Sequence, residues 1–219
     1  MHRKIGAMLL FLLILLGTLS AVQASIDFVD GRVDIRRGGS ILAADFGMDL
    51  VAGDVIITGE DGLAIISLAD RGSIKVQPDT TLSLNSLDSD VEVELQSGAV
   101  FSRLERLNGG SYRLRAGTAF AGVRGTEFYT AYGKTIEDLP DVWLCVNEGV
   151  VDVSLQNGAA VSVAAGEGIN ILSGRDITPP QFFAWTRDLN WNMDPSAGEV
   201  LDDTDLETLY NDPLDFDYD

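Results

Sequence analysis

Histidine and cysteine are almost missing from this chain of 219 residues: the one histidine is His2 and the one cysteine is Cys145. That excludes Ser-His-Asp and Cys-His catalysis, zinc held by His or several Cys, haem held by His, CxxC redox chemistry and an internal disulfide. Basic residues are scarce as well. Lys and Arg number 15 against 34 Asp and Glu, a net charge of −19, and a polyanion of that size does not bind nucleic acid by neutralising phosphates. Long apolar runs are confined to the start of the chain, so no later segment is apolar enough to span a bilayer as a helix.

That start has the three parts of a secretory leader. His2, Arg3 and Lys4 are basic, Met8 to Leu16 is apolar, and Val22-Gln23-Ala24 puts small residues at the −3 and −1 positions for cleavage before Ser25. No Cys follows to carry a lipid. The uncharged stretch from Ile5 to Ala24 is also just long enough to cross a bilayer, so an uncleaved membrane anchor is the alternative. Either way the rest of the chain is expected to be exported, periplasmic or extracellular. Losing Arg3 and Lys4 takes the net charge from −19 to −21.

From Ile26 to Leu172 apolar and polar residues alternate in runs of four to seven, broken by Gly or Asp/Asn-Gly. A period of two with glycine breaks means short strands. The clearest are Val33–Arg36, Val55–Thr58, Leu63–Leu68, Ser73–Gln77, Thr81–Leu84, Val91–Leu95, Ala99–Leu104, Tyr112–Arg115, Thr126–Tyr132, Val142–Asn147, Val150–Leu155 and Ala159–Ala164. With 23 glycines, about a tenth of the chain against a usual ~7%, turns are frequent. The fold class is all-β: a sandwich, barrel or solenoid.

Two internal echoes bear on the choice. Gly31-Arg32-Val33-Asp34-Ile35 followed by Ala52-Gly53-Asp54 resembles Gly149-Val150-Val151-Asp152-Val153 followed by Ala165-Gly166-Glu167, and Leu95-Gln96-Ser97-Gly98-Ala99 returns as Leu155-Gln156-Asn157-Gly158-Ala159. Repeating strand-turn-strand units favour a β-helix or solenoid of stacked coils, with a β-sandwich as the alternative.

The pattern changes near residue 176. Thr178-Pro179-Pro180-Gln181 reads as a capping box with Pro at the first helical position, and Phe182, Trp185 and Leu189 fall on one face of a helix over 176–193. Such a helix would close an open end of the β domain, residues 25–175, or dock a partner. Residues 194–219 hold ten acids and no basic residue, a composition expected to be disordered alone. Tyr210, Phe216 and Tyr218 alternate with those acids and offer aromatic anchors for a basic partner.

Little here suggests catalysis. Asp90, Glu92 and Glu94 share one face of a strand and read as a solvated surface or a contact for a polycation. Asp202 to Asp205 and Asp215 to Asp219 could offer calcium oxygens, yet lack the Gly and distal Glu of an EF-hand loop. No metal or cofactor is called for. Gly122 to Thr126 lacks the spacing of a phosphate loop.

The stretch Phe120-Ala121-Gly122-Val123-Arg124-Gly125-Thr126-Glu127-Phe128 resembles the Val-Arg-Gly-Thr-x-Phe signature of FecR-type domains. Leu50 to Thr58, Ala64 to Leu68, Gly72 to Val76 and Leu95 to Val100 are similar to further elements of that family, in the family's order. The resemblance covers roughly residues 26–172. It implies a β-helix-like envelope domain that binds or transmits, the namesake being a periplasmic sensor that relays the state of an iron transporter to a sigma factor. Carried over, the signature positions are Gly53, Asp54, Val123, Arg124, Gly125, Thr126 and Phe128. Arg124 is read as a bridge to backbone carbonyls of adjacent coils, or alternatively as an anion ligand. Only His2 to Lys4 precede the apolar run, where the namesake has a sigma-binding region. The expectation is thus a non-enzymatic, stand-alone exported protein that binds an envelope protein or ligand, with an N-terminally anchored, sigma-regulator-like sensor as the alternative.

Overall fold

A computed structural model describes residues 24–105, 109–123, 125–135 and 140–182. They form two sheets, A and B, around one core. The chain begins in sheet A with β1 (Ser25–Asp30), then builds β2 (Val33–Arg37), β3 (Ser40–Ala43) and β4 (Val55–Thr58) in sheet B. It returns to A for β5 (Leu63–Ser67) and β6 (Gly72–Val76), and crosses to B for β7 (Thr81–Leu87). β8 (Asp90–Leu104) starts in B and finishes in A. β9 (Ser111–Ala116) and β10 (Ala119–Val123) lie in B, β11 (Glu127–Thr135) and β12 (Pro140–Glu148) in A. β13 (Val150–Leu155) and β14 (Ala160–Ala164) lie in B, and β15 (Gly168–Leu172) and β16 (Asp176–Ile177) in A.

Sheet A therefore runs β1-β5-β6-β8-β11-β12-β15-β16 and sheet B runs β3-β2-β4-β7-β8-β9-β10-β13-β14. The all-β expectation holds. The shuttling between two faces has the rhythm of a coil, but the strand pairs are antiparallel except β8 with β9, which is parallel. The layers are thus assembled largely from antiparallel pairs added to alternate sheets, whereas a β-helix stacks parallel coils.

The phase of β8 explains how one strand serves both sheets. Val91, Val93 and Leu95 are buried in the first half and Val100, Ser102 and Leu104 in the second, so the inward set changes parity between Leu95 and Val100. A one-residue shift of that kind turns side chains to the opposite face. The shift is taken up at Gly98, where φ is +88° and a Cβ would lie 2.3 Å from Thr80 Oγ1 and 2.6 Å from Thr80 Cα. Only glycine fits that bend.

The core draws Ile35, Ile56, Leu82, Leu84 and Val151 from sheet B and Ile26, Ile66, Ile74, Phe128 and Ile169 from sheet A, all fully buried. Each contributes roughly 1.5–3 kcal/mol by leaving water. Tyr112 on β9 ties the layers. Its hydroxyl is 3.1 Å from Ser102 Oγ on β8, and its ring meets Phe128 edge-on at 6.4 Å.

The C-terminal helix does not start where the capping box placed it. Thr178 N donates to Asn170 O, Thr178 Oγ1 accepts from Asn170 N, and Gln181 exchanges both backbone bonds with Gly168. Residues 176–181 thus run back along β15, because the hydroxyl expected to cap a helix is spent on the neighbouring strand. Trp185, Leu189 and the tail residues Tyr210, Phe216 and Tyr218 lie outside the described residues.

Candidate functional site

The loop before β4 is organised by Asp54. This carboxylate is fully buried. It accepts Arg37 Nε at 2.7 Å, Arg37 Nη2 at 2.6 Å and Val51 N at 2.9 Å, and Arg37 Nη2 also donates to Asp49 O at 2.8 Å. A two-pronged guanidinium is the partner a buried carboxylate needs. The pairing with Asp54 raises the Arg37 pKa above its ordinary value. Gly53, at φ +93°, is the left-handed residue of the turn Val51–Asp54, in which Asp54 N donates to Val51 O.

The first internal echo is a physical repeat. In the turn Ala164–Glu167, Gly166 has φ +86° and Glu167 N donates to Ala164 O, while Glu167 Oε2 accepts Ala164 N at 2.9 Å as Asp54 accepts Val51 N. Gly53 N donates to Leu84 O and Gly166 N to Val146 O, both at 2.7 Å. The second echo diverges: Gly98 bends a continuing strand, whereas Gly158, at φ +90°, closes the β13–β14 hairpin with Leu155 N donating to Ala159 O.

The second signature cluster joins β10 to β11, where the chain passes from sheet B to sheet A. Val123 ends β10 opposite Val151 and Tyr112. Gly125 has φ +67°, and Thr126 O accepts Leu104 N at 2.8 Å. Phe128 is fully buried in the core, Thr126 is 3% exposed, and the Thr126 hydroxyl has no hydrogen-bond partner among the described residues. Arg124 lies outside the described residues. Beside this segment is an open cleft of about 330 Å³ lined by Arg103, Leu104, Glu105, Gly125, Thr126, Glu127 and Glu148, with Arg103 Nε donating to Glu127 Oε2 at 2.7 Å. Three carboxylates against one guanidinium make its described lining suited to a cationic or hydrogen-bond-donating group rather than an oxyanion.

Comparison with protein families matches residues 54–160 to the FecR protein model. Residues 54–160 are a FecR domain. Two crystal structures, each of a candidate anti-sigma factor from Parabacteroides distasonis, share the fold. One has a TM-score of 0.53 at 20% identity, covering 72% of this chain and 74% of the other. The second has a TM-score of 0.52 at 20% identity, covering 66% and 70%. Comparison with curated proteins gave no match.

Within the FecR domain the two signature clusters are not one site. β4 and β10 are separated in sheet B by β7, β8 and β9, about 19 Å. Among the described residues no group of three or more His, Cys, Asp or Glu is placed to hold a metal ion. The Asp90, Glu92 and Glu94 row is answered from within: Arg115 pairs with Glu94, Arg113 Nη1 is 4.0 Å from Glu92, and Ser111 Oγ donates to Asp90 at 2.8 Å. The parallel register of β8 with β9 sets these pairs opposite each other, which no reading of β8 alone reveals.

Sequence reasoning also missed Arg37 and the Thr58–Thr80 clasp, in which Thr58 Oγ1 donates to Gln77 O at 2.6 Å and accepts Thr80 N at 2.8 Å. Nothing in the spacing of those residues signals the contact. Exposed apolar side chains gather in the first strands and loops: Ile41 (66% exposed) and Leu42 on β3, then Phe46 and Val51. β3 pairs only with β2 among the described residues, so it is an edge. Phe182 is exposed as well.

Proposed function

We propose that this chain is a non-enzymatic, exported regulatory module that binds a partner in a sigma-regulator-like signalling pathway of the cell envelope. The observation that carries the reading is the FecR domain over residues 54–160. The internal commitment of its signature side chains supports it: Asp54 is occupied by Arg37 and Val51, and Phe128 is enclosed by the core. Groups so engaged hold a shape, which leaves partner contact to the surface. The likeness to the Parabacteroides distasonis structures fits the same reading. The leader read in the sequence supports export.

Crosslinking in intact cells, followed by identification of what is attached, tests it together with transcript profiling after deletion of the gene. A covalent adduct with an envelope protein and a coherent change in a sigma-dependent transcript set are the expected results. Turnover of an envelope polysaccharide by the purified protein, or full-length product retained in the cytoplasm, would overturn the reading.

A further inference from the structure

β3 folds back on β2 through the two-residue turn Gly38-Gly39, at φ +53° and +85°. Bonded and unbonded pairs alternate along an antiparallel ladder. Arg37 with Ser40 and Ile35 with Leu42 are therefore the bonded pairs, and Ala44 N donating to Val33 O at 2.9 Å continues the series. Ile41 and Ala43 fall between them. Their N–H and C=O groups point away from β2, to the side where β3 has no neighbour among the described strands.

Other edges are treated differently. β1 is bound by the loop after β3, with Ile26 N donating to Met48 O, Gly47 N to Ile26 O and Leu50 N to Ala24 O, and it carries a register shift between Ile26 and Phe28 together with Asp27 and Asp30. The exposed residues of β14 are the small Ala160, Ser162 and Ala164. β3 has no charged residue, and all four of its residues are exposed, Ile41 and Leu42 among them. Phe46, 74% exposed, follows on a turn where Asp45 Oδ1 accepts Phe46 N at 2.8 Å. An open, uncharged, apolar edge is a template for another strand.

We propose that β3 receives an extended segment of the partner protein, apolar in its middle and carrying lysine or arginine, as an added strand of sheet B. The proposal rests on the partner-binding reading above and gives it a surface. Main-chain bonds to Ile41 and Ala43 hold the strand, and its alternate side chains meet Leu42, on the face of Ile35, and Ile41, on the face of Arg36. Charge selects the partner. Asp45 and Asp49 are exposed on the loop that leaves β3, and Asp27 is exposed beside that loop on β1, against Arg36 as the exposed cation of β2. The whole chain carries −19. A second copy brings like charges together across an edge of four residues, about 13 Å, which is far short of the surface a stable dimer buries. A basic segment is attracted instead. The edge also precedes residues 54–160, so it lies outside the part matched to the FecR model.

The test uses the full chain and the peptide Lys-Thr-Val-Thr-Val-Thr-Lys, followed through the backbone amide resonances. The Ile41 and Ala43 amides should shift to saturation with a Kd of about 1 mM or below, and binding should weaken as salt rises. Replacing both lysines of the peptide by glutamate should weaken binding about tenfold or more, and N-methylating its interior residues should abolish it. A43P removes an N–H that the fold does not use and should weaken binding about tenfold or more. No saturating shift at Ile41 and Ala43, equal binding of the glutamate or N-methylated peptide, or an unmoved affinity in folded A43P overturns the proposal. Shifts of the same amides with protein concentration alone assign the edge to a second copy instead. If A43P fails to fold, the two peptide controls decide. Crosslinking in cells separates this proposal from the reading on which it rests: an envelope adduct that persists in A43P removes the edge and leaves the regulatory reading standing, whereas no adduct from the native chain counts against the regulatory reading.

Discussion

Arg37→Ala removes the one side chain that, among the described residues, holds the Asp54 carboxylate in the signature loop. In the native protein Asp54 has three donors, two from the guanidinium and one from Val51 N, and is sealed from solvent. Breaking a buried pair from one side costs roughly 3–5 kcal/mol, because the remaining charge keeps its desolvation penalty. Arg37 is itself 36% exposed, so water can replace part of the guanidinium, which lowers the expected loss to about 2–3 kcal/mol. For a domain of this size that is a fall in Tm of roughly 5–10 °C. Urea unfolding of wild type, R37A, D54N and R37A/D54N completes a double-mutant cycle. The amide of D54N can still accept Val51 N and carries no charge, so the double variant should be less destabilised than the two single losses added together. A coupling below about 0.5 kcal/mol is within what unconnected sites show and would refute the claim that this pair holds the loop.

Gly98→Ala should cost about 3 kcal/mol or more, from left-handed backbone and a clash with the Thr80 main chain, and a loss under about 1 kcal/mol in chemical unfolding would mean that the bend is not sterically required. Tyr112→Phe should cost about 0.5–1.5 kcal/mol by removing the hydroxyl contact with Ser102; no change in the urea midpoint would show that this contact does not tie the sheets. Burial pushes the Cys145 thiol up to about 12 from 9.0, and burial raises Tyr112 as well. Both groups keep their protons in the folded state while the unfolded chain ionises, so their effect on stability is flat below pH 9 and declines above it, each by up to about 1.4 kcal/mol per pH unit. Titrating the urea midpoint of wild type and C145A from pH 7 to 11 reads this, and identical alkaline slopes for the two proteins would rule out the Cys145 contribution.

The strands announced by alternating polarity are those with one wet face. Val55–Thr58, Val91–Leu95 and Val150–Leu155 alternate because one side meets the core and the other meets water or partly exposed neighbours. Strands buried on both sides do not alternate in polarity, and β12, with Asp141 to Val146 all buried, was legible only through its length of β-favouring residues. β1, β3, β10, β15 and β16 went unread, being short and set among glycines and polar residues. Ser97-Gly98 looked like the end of a strand and is a bend within one, since a glycine marks a left-handed residue without saying whether the chain turns back. Thr178 misled for a similar reason: a hydroxyl that can cap a helix can equally accept from the strand alongside. The signature residues were found from resemblance, but their partners, Arg37 above all, depend on which strands become neighbours.

The membership of β8 in both sheets governs how the molecule can move and come apart. In sheet A, β6 reaches β11 only through β8, and in sheet B, β7 reaches β9 only through it. Fifteen residues of strand, about 50 Å at full extension, therefore form a keel to which the N-terminal and C-terminal halves are each hydrogen-bonded in two planes. Neither half of the described strands retains a complete sheet without it, so a single unfolding transition is expected for both halves. A partner pulling or pressing on the strands before β8 displaces those after it as one lever.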